Sequence, residues 1–173
     1  MSVRLSVPGA AQMRRLGARL AGVLEPADLV VLAGSLGAGK TTLVQGLGEG
    51  LGVRGPVTSP TFVIARVHPA LRGGPDLVHA DAYRLGSRLE VDDLDLDADL
   101  DHSVTVVEWG EGLVEGLADG HLRITIDRPA AELAVGEDGA GDGTEDQPRT
   151  VTVAGYGARW ESAADGLRMA LPG

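Results

Sequence analysis

The chain of 173 residues has no cysteine, a single lysine, and an aromatic content of only 3%. The absence of cysteine excludes disulfide bonds and thiolate metal sites, and it fits a reducing compartment. No apolar run approaches the roughly 20 residues that a membrane-spanning helix needs, and residues 1–6 lack the apolar region of a signal peptide. We therefore expect a cytoplasmic protein. Since Lys40 is the one lysine among 15 basic residues, it is a candidate for a role that arginine cannot fill.

The formal net charge of −10 argues against direct binding to nucleic acid, because phosphate contacts require a basic surface. It does not exclude a subunit whose partner binds the nucleic acid. The hydrophobic content of 43% and the charged content of 23% are typical of globular proteins. The length predicts one domain over residues 1–173 with an interior large enough for a core.

Short apolar runs separated by glycine-rich turns and two or three helical stretches predict an α/β protein. The predicted strands are Val3–Val7, Asp28–Ala33, Thr61–Val67, Leu77–Asp81, Val104–Glu108, Leu122–Ile126 and Thr150–Ala154. One predicted helix carries Met13, Leu16, Leu20 and Leu24 on one face. Two further helices are predicted at residues 40–51 and 160–169. We expect a mixed sheet that is parallel at its core and antiparallel at its edges.

Residues 34–41 read Gly-Ser-Leu-Gly-Ala-Gly-Lys-Thr and match the P-loop pattern at every fixed position. A buried strand is predicted before this segment and a helix after it, which is the context that a nucleotide-binding P-loop requires. We therefore expect the mixed sheet to belong to a three-layer fold of the P-loop NTPase type. Its glycines let consecutive backbone N–H groups turn toward phosphate oxygens, and the helix dipole favours the same phosphates. The residues predicted to hold ATP are Leu36, Gly37, Ala38, Gly39, Lys40, Thr41 and Thr42. The Thr41 hydroxyl is expected to bind Mg²⁺.

Two predicted strands end on carboxylates, Asp81 and Glu108, and either could hold the metal from across the site. Together with Lys40 they are the candidate catalytic residues. Either acid could instead be an ordinary strand-end residue that faces solvent. The histidines at positions 68, 79, 102 and 121 show no metal-ligand spacing, and we interpret them as structural or surface residues.

A hydroxyl-rich segment, Ser59, Pro60 and Thr61, lies between the P-loop helix and the next strand, where switch segments of P-loop proteins occur. A turn that precedes a strand is the alternative interpretation. Tyr83 and Trp109 stand beside the two candidate acids, so we predict that they form a site wall or a partner surface.

Two polar segments are predicted to be solvent-exposed. Glu90–Asp101 carries seven acidic residues in twelve positions and lacks the fixed glycine and terminal glutamate of a calcium loop, so an acidic helix and turn is favoured. Part of it, Leu94–Asp97, alternates like a strand. Residues 136–148 contain almost nothing apolar and predict a flexible acidic loop.

Four motifs together resemble the TsaE-type P-loop ATPase of bacterial tRNA N6-threonylcarbamoyladenosine biosynthesis. They are Gly-Ser-Leu-Gly-Ala-Gly-Lys-Thr-Thr at 34–42, Ser-Pro-Thr-Phe at 59–62, His-Ala-Asp-Ala-Tyr-Arg-Leu at 79–85 and Val-Glu-Trp-Gly-Glu at 107–111. Their order and spacing carry the likeness over most of residues 1–155.

The resemblance implies an ATPase, weak by itself and stimulated by partners, that supports transfer of a threonylcarbamoyl group to an adenosine of tRNA. The transfer would belong to a TsaD-type partner that works with a TsaB-type protein, and tRNA would be reached only through these partners. By this likeness Thr41 and Glu108 bind Mg²⁺, Asp81 acts near the γ-phosphate, and Arg149 contacts the nucleotide. The chain departs from the family pattern at Ser35, where an acid is usual, and at Met13, where a threonine is frequent.

The main alternative is a small-molecule or nucleoside kinase that uses the same P-loop. Such kinases usually add an arginine-rich lid and an acceptor pocket, and neither is evident in the sequence. A GTPase would need a lysine-bearing guanine motif, which is impossible here because the single lysine lies in the P-loop. A degenerate P-loop module without catalysis is disfavoured by Lys40, Thr41 and the two acids.

Overall fold

A computed structural model describes residues 1–60, 64–85, 87, 90–91, 100–128 and 147–171. Some predictions lie outside these residues. They concern Thr61 of the hydroxyl-rich segment, Phe62 of the motif at 59–62, most of the acidic helix and turn at Glu90–Asp101 with the strand pattern at Leu94–Asp97, and most of the acidic loop at 136–148.

Among the residues that the structure describes, seven strands and four α-helices are assigned. The strands are β1 (Ser2–Val7), β2 (Leu29–Gly34), β3 (Ala65–His68), β4 (Asp76–Asp81), β5 (Ser103–Glu108), β6 (His121–Asp127) and β7 (Arg149–Tyr156). The helices are α1 (Ala10–Leu20), α2 (Lys40–Leu51), α3 (Ala158–Ser162) and α4 (Ala164–Ala170), with short 3-10 helices at Leu100–His102 and Glu115–Leu117. Helix α1 ends before Leu24, and the single C-terminal helix predicted at 160–169 is divided in two near Ala163.

The strands form one sheet in the order β1-β7-β6-β2-β5-β4-β3. The four central strands, β6, β2, β5 and β4, run parallel to one another. The outer pairs β1/β7, β6/β7 and β3/β4 are antiparallel. The mixed sheet with a parallel core and antiparallel edges is therefore confirmed.

Helices α1 and α2 pack on one face of the sheet and bury the larger apolar cluster. The two helices approach so closely that a Cβ atom on Gly46 would lie 1.9 Å from the carbonyl oxygen of Arg14. A Cβ atom on Gly17 would likewise lie 2.2 Å from the carbonyl oxygen of Leu43. Because only glycine permits this separation, these two positions fix how closely α1 and α2 pack against each other.

A second apolar cluster lies on the opposite face of β2, β4 and β5, and Val91 and Val114 belong to it. Val31, Val78 and Val107 point to this side, where they pack against Val114 and the turns around it. Since successive side chains of a strand alternate between faces, the intervening residues of β4 and β5 point toward α2. No helix in the described part of the chain is long and apolar enough to span a bilayer.

Candidate nucleotide site

The P-loop connects the carboxyl end of β2 to the first residue of α2. Gly34, at φ +137°, passes so close to β6 that a Cβ atom there would lie 2.4 Å from the carbonyl oxygen of Ile126. Gly39 caps α2 at φ +112°, a conformation that side chains with a Cβ rarely adopt. The glycines of the pattern are therefore required by the path of the backbone. The amino end of a twelve-residue helix faces the space above the loop.

Lys40 is folded back onto the loop from which it starts. Its Nζ donates hydrogen bonds to the carbonyl oxygens of Gly34 (2.9 Å) and Ser35 (3.0 Å) and lies 3.9 Å from the centroid of the Trp109 ring. The residue is only 4% exposed. Burial lowers the pKa of the ammonium group from its usual 10.5, while the charges of Glu108 and Asp81 act in the opposite direction.

The two candidate acids are neighbours in the sheet. Asp81 and Glu108 stand opposite each other at the carboxyl ends of β4 and β5, on the face covered by α2. The Thr41 hydroxyl donates to Glu108 Oε1 at 3.0 Å, which joins the start of the P-loop helix to the end of β5. Asp81 Oδ1 accepts a hydrogen bond of 2.9 Å from the backbone N–H of Tyr83.

These groups surround one cleft of about 220 Å³. Its lining residues are Leu36, Gly37, Gly39, Lys40, Thr41, Thr42, Ser59, Asp81, Glu108 and Trp109. The structure thus brings together most of the residues predicted for the site. Ala38 is buried beneath the loop, and Pro60 is buried, where its carbonyl oxygen accepts a hydrogen bond from Ile64 N at 2.7 Å.

The two aromatic residues predicted at the site contact each other. The rings of Tyr83 and Trp109 lie edge to face, with their centroids 5.2 Å apart. Trp109 has φ +61°, a left-handed conformation that costs a non-glycine residue about 1–2 kcal/mol. This backbone conformation accompanies the placement of the indole over Lys40, while Tyr83 remains 65% exposed beside it.

Two arginines border the P-loop from the β6 and β7 side. A Cβ atom on Gly39 would lie 3.9 Å from Arg149 Nε and 3.6 Å from two side-chain atoms of Met13. A Cβ atom on Gly37 would lie 3.5 Å from Arg128 Nη1. Arg149 was predicted at the site and Arg128 was not. The only signal for Arg128 in the sequence is its position two residues after the end of a predicted strand.

His79 is a second residue that the sequence did not place at the site. Its Nε2 lies 2.9 Å from Glu108 Oε1, and its side chain is fully buried. His68 and His121 are also buried, whereas His102 is exposed. Three of the four histidines therefore lie inside the fold, and one of them touches a candidate metal ligand.

The donor set suits Mg²⁺. The Thr41 hydroxyl and the Glu108 carboxylate are hard oxygen ligands at the edge of the cleft, and Mg²⁺ is typically held by one or two such groups together with substrate phosphates and water. Within the residues that the structure describes, no cluster of three or more histidine, aspartate or glutamate side chains could bind a metal without such help.

Comparison with known proteins identifies the family. The model of the family described as "Threonylcarbamoyl adenosine biosynthesis protein TsaE" matches residues 7–134, which include the P-loop, Asp81 and Glu108. The chain belongs to the TsaE family. The resemblance seen in its motifs is thereby confirmed, and the family's part in tRNA threonylcarbamoyladenosine biosynthesis applies to the chain.

Individual relatives extend the match beyond the family model. A TsaE protein of Streptomyces coelicolor is 62% identical over 152 residues, which cover 87% of this chain and 95% of the relative. A TsaE protein of Mycobacterium bovis is 51% identical over 120 residues, or 65% of this chain and 71% of the relative. The crystal structure of Bacillus subtilis YdiB superposes with a TM-score of 0.72 at 28% identity, covering 98% of this chain and 95% of that one.

Proposed function

We propose that this TsaE-family chain is a Mg²⁺-dependent ATPase subunit of tRNA threonylcarbamoyladenosine biosynthesis that acts on a complex of TsaD-type and TsaB-type proteins. The observation that carries the proposal is the convergence of Lys40, Thr41, Asp81 and Glu108 on one cleft at the amino end of α2. A lysine, a hydroxyl and two carboxylates around a P-loop are the groups that Mg-ATP hydrolysis requires.

Each residue has a distinct task in this proposal. Thr41 and Glu108 hold Mg²⁺, which neutralises charge on the phosphates. Lys40 exchanges its hydrogen bonds to the carbonyl oxygens of Gly34 and Ser35 for hydrogen bonds to the β- and γ-phosphates. Asp81 lies across from Glu108 and is placed to orient the attacking water. Backbone N–H groups of residues 36–42 and the Arg149 guanidinium bind the remaining phosphate oxygens.

The proposed nucleotide is ATP. The single lysine is engaged in the P-loop, so the lysine-bearing motif by which GTPases read guanine has no counterpart in this chain. We assign transfer of the threonylcarbamoyl group to the partners, because a chain with a net charge of −10 lacks the basic surface that direct tRNA binding requires. Exposed Tyr83 and the adjacent Trp109 are proposed to pass the state of the nucleotide to the partner surface, since Trp109 touches Lys40 on one side and Tyr83 on the other.

Two substitutions test the site. Lys40→Ala should abolish ATP hydrolysis, and Glu108→Ala should weaken nucleotide binding that depends on Mg²⁺ while leaving binding in EDTA unchanged. Glu161→Ala is the matched control, because Glu161 is an exposed acid of α3 outside the cleft. Turnover at the wild-type rate in both site variants would contradict the assignment.

The reaction itself is tested by measuring phosphate release by the chain alone, by the chain with the two partner proteins, and by the chain with both partners and tRNA. We expect slow release by the free chain and faster release in the assembly. Transfer of phosphate to a small acceptor rather than to water would favour the kinase alternative. An absence of any partner effect would contradict the proposed assembly.

A further inference from the structure

His79 occupies an unusual position for a buried polar residue. It lies in the middle of β4, two residues before Asp81 and on the same face, and its side chain has 0% exposure. Burying a polar ring costs free energy unless it is hydrogen-bonded. The ring meets Glu108 Oε1 at 2.9 Å, across 29 residues of sequence, and the Glu108 side chain is itself only 5% exposed.

The direction of this hydrogen bond follows from the chemistry of the two groups. An ionised carboxylate only accepts hydrogen bonds, so the proton must lie on His79 Nε2. The other ring nitrogen, Nδ1, is buried without a hydrogen-bond partner among the described residues. A proton there would be an unsatisfied buried donor, so the neutral tautomer with Nε2–H fits the site.

Glu108 thus receives two donors on one oxygen. The Thr41 hydroxyl and His79 Nε2 both approach Oε1, from α2 and from β4 respectively. Two donors from different elements fix both the position and the rotation of the carboxylate, which neither could do alone. The second oxygen, Oε2, is used by neither of these hydrogen bonds.

We propose that His79 is a positioning residue, which holds the Glu108 carboxylate in the orientation that receives Mg²⁺. Hydrogen bonds to metal-ligating carboxylates commonly set ligand geometry, and their loss typically costs 10–100-fold in metal affinity. This inference rests on the proposed function, because it assumes that Glu108 faces the metal. It adds a residue that supports the ligand without touching nucleotide or metal.

The alternative is that His79 only fills space. Its neighbours on the same face, Leu77 on β4 and Val106 on β5, are apolar and buried, so a leucine would suit the surroundings. His79→Leu therefore removes the donor at similar volume. His79→Gln retains an amide N–H that can reach the position of Nε2. His68→Leu is the control, because it replaces another buried histidine of the same part of the sheet.

The readout is a ratio for a fluorescent ATP analogue, namely its dissociation constant in EDTA divided by its dissociation constant in Mg²⁺. This ratio isolates the contribution of the metal from nucleotide binding and from folding. We expect His79→Leu to reduce it by about tenfold or more, with the EDTA value unchanged within about twofold. His79→Gln and His68→Leu should keep the wild-type ratio. A wild-type ratio in His79→Leu would overturn the positioning role.

A second measurement uses the unmodified protein and does not depend on a variant's folding. Nitrogen-15 NMR of the histidine rings in the nucleotide-free chain should show the His79 proton on Nε2. A proton on Nδ1 alone would refute the inference. The two levels of the proposal fail differently: if wild type shows no Mg²⁺ dependence at all, the proposed function fails, whereas normal dependence in His79→Leu removes only the role of His79.

Discussion

The contact between α1 and α2 offers a sharp test of how the P-loop helix is held. In Gly46→Ala the new Cβ would lie 1.9 Å from Arg14 O and 2.8 Å from the adjoining carbonyl carbon. The two backbones must separate by roughly 1.5 Å before this contact reaches a normal van der Waals distance. Both atoms belong to the backbone of a helix, so no side-chain rotation can relieve the clash.

The magnitude follows from two opposing effects. Alanine improves helix propensity by about 1 kcal/mol relative to glycine, while overpacking in a tight core costs about 1–3 kcal/mol and occasionally more. Because the new Cβ clashes with backbone atoms, we expect a cost near the upper end of about 3 kcal/mol and a net loss of about 2 kcal/mol in the free energy of unfolding. Urea unfolding measures it, with a midpoint lower by about 1 M or more.

Gly166→Ala is the matched control. Gly166 is also a helix residue, but its Cβ would meet only Val23 Cγ1 at 3.5 Å, an ordinary contact. Here the propensity gain should dominate, with stability unchanged or raised by up to about 1 kcal/mol. Equal stability of Gly46→Ala and wild type would refute the close helix contact. A loss in Gly166→Ala as large as in Gly46→Ala would show a general effect of added methyl groups instead.

Three further predictions concern other parts of the fold. Mg-ATP should change the fluorescence of Trp109, because Lys40 must leave the indole face to reach phosphate. Trp109→Phe should abolish the change, although the buried Trp160 remains. Arg159→Ala should lower the free energy of unfolding by about 1–2 kcal/mol at pH 7, since the buried Asp28 loses both guanidinium hydrogen bonds, of 3.1 and 3.0 Å. Burial already raises the pKa of Asp28, so this deficit should shrink in urea titrations as the pH is lowered and the carboxyl becomes protonated. Burial lowers the pKa of His68 below 6.5, so as the pH falls the unfolded chain takes up a proton at this residue before the folded chain does. The free energy of unfolding should therefore decrease as the pH drops below 6.5. In His68→Leu this decrease should be less steep.

The parts of the site that could be predicted from the sequence are those encoded by neighbouring residues. A buried strand, a glycine turn and a helix are consecutive in the chain, so the P-loop and the bounds of α2 followed from local pattern. Asp81 and Glu108 were predicted because an apolar run that ends on an acid marks the end of a buried strand. Their pairing across β4 and β5 needed the order of the sheet, which the pattern did not contain.

The contacts that were missed join segments far apart in the chain. The sequence predicts that His79 is a structural or surface residue, because no ligand spacing surrounds it. Its partner Glu108 lies on the neighbouring parallel strand, at a register that only the fold fixes. The approach of Arg128 to Gly37 likewise depends on β6 lying beside β2. Long side chains at the ends of parallel strands converge on one edge of the sheet, and their identity as partners depends on strand order.

Strand order also places acidic and basic side chains on opposite sides of the cleft. On one side of β2, β5 and β4 end in Glu108 and Asp81; on the other side, Arg128 follows β6 and Arg149 begins β7. Lys40 lies between the two groups and by itself could not balance a nucleotide that carries several negative charges. A bound Mg-nucleotide would therefore place its metal toward β4 and β5, because the carboxylates attract the cation, and its uncompensated phosphate oxygens toward the arginines. The P-loop motif would bind the phosphates, while the order of the strands would set the orientation of the nucleotide in the cleft.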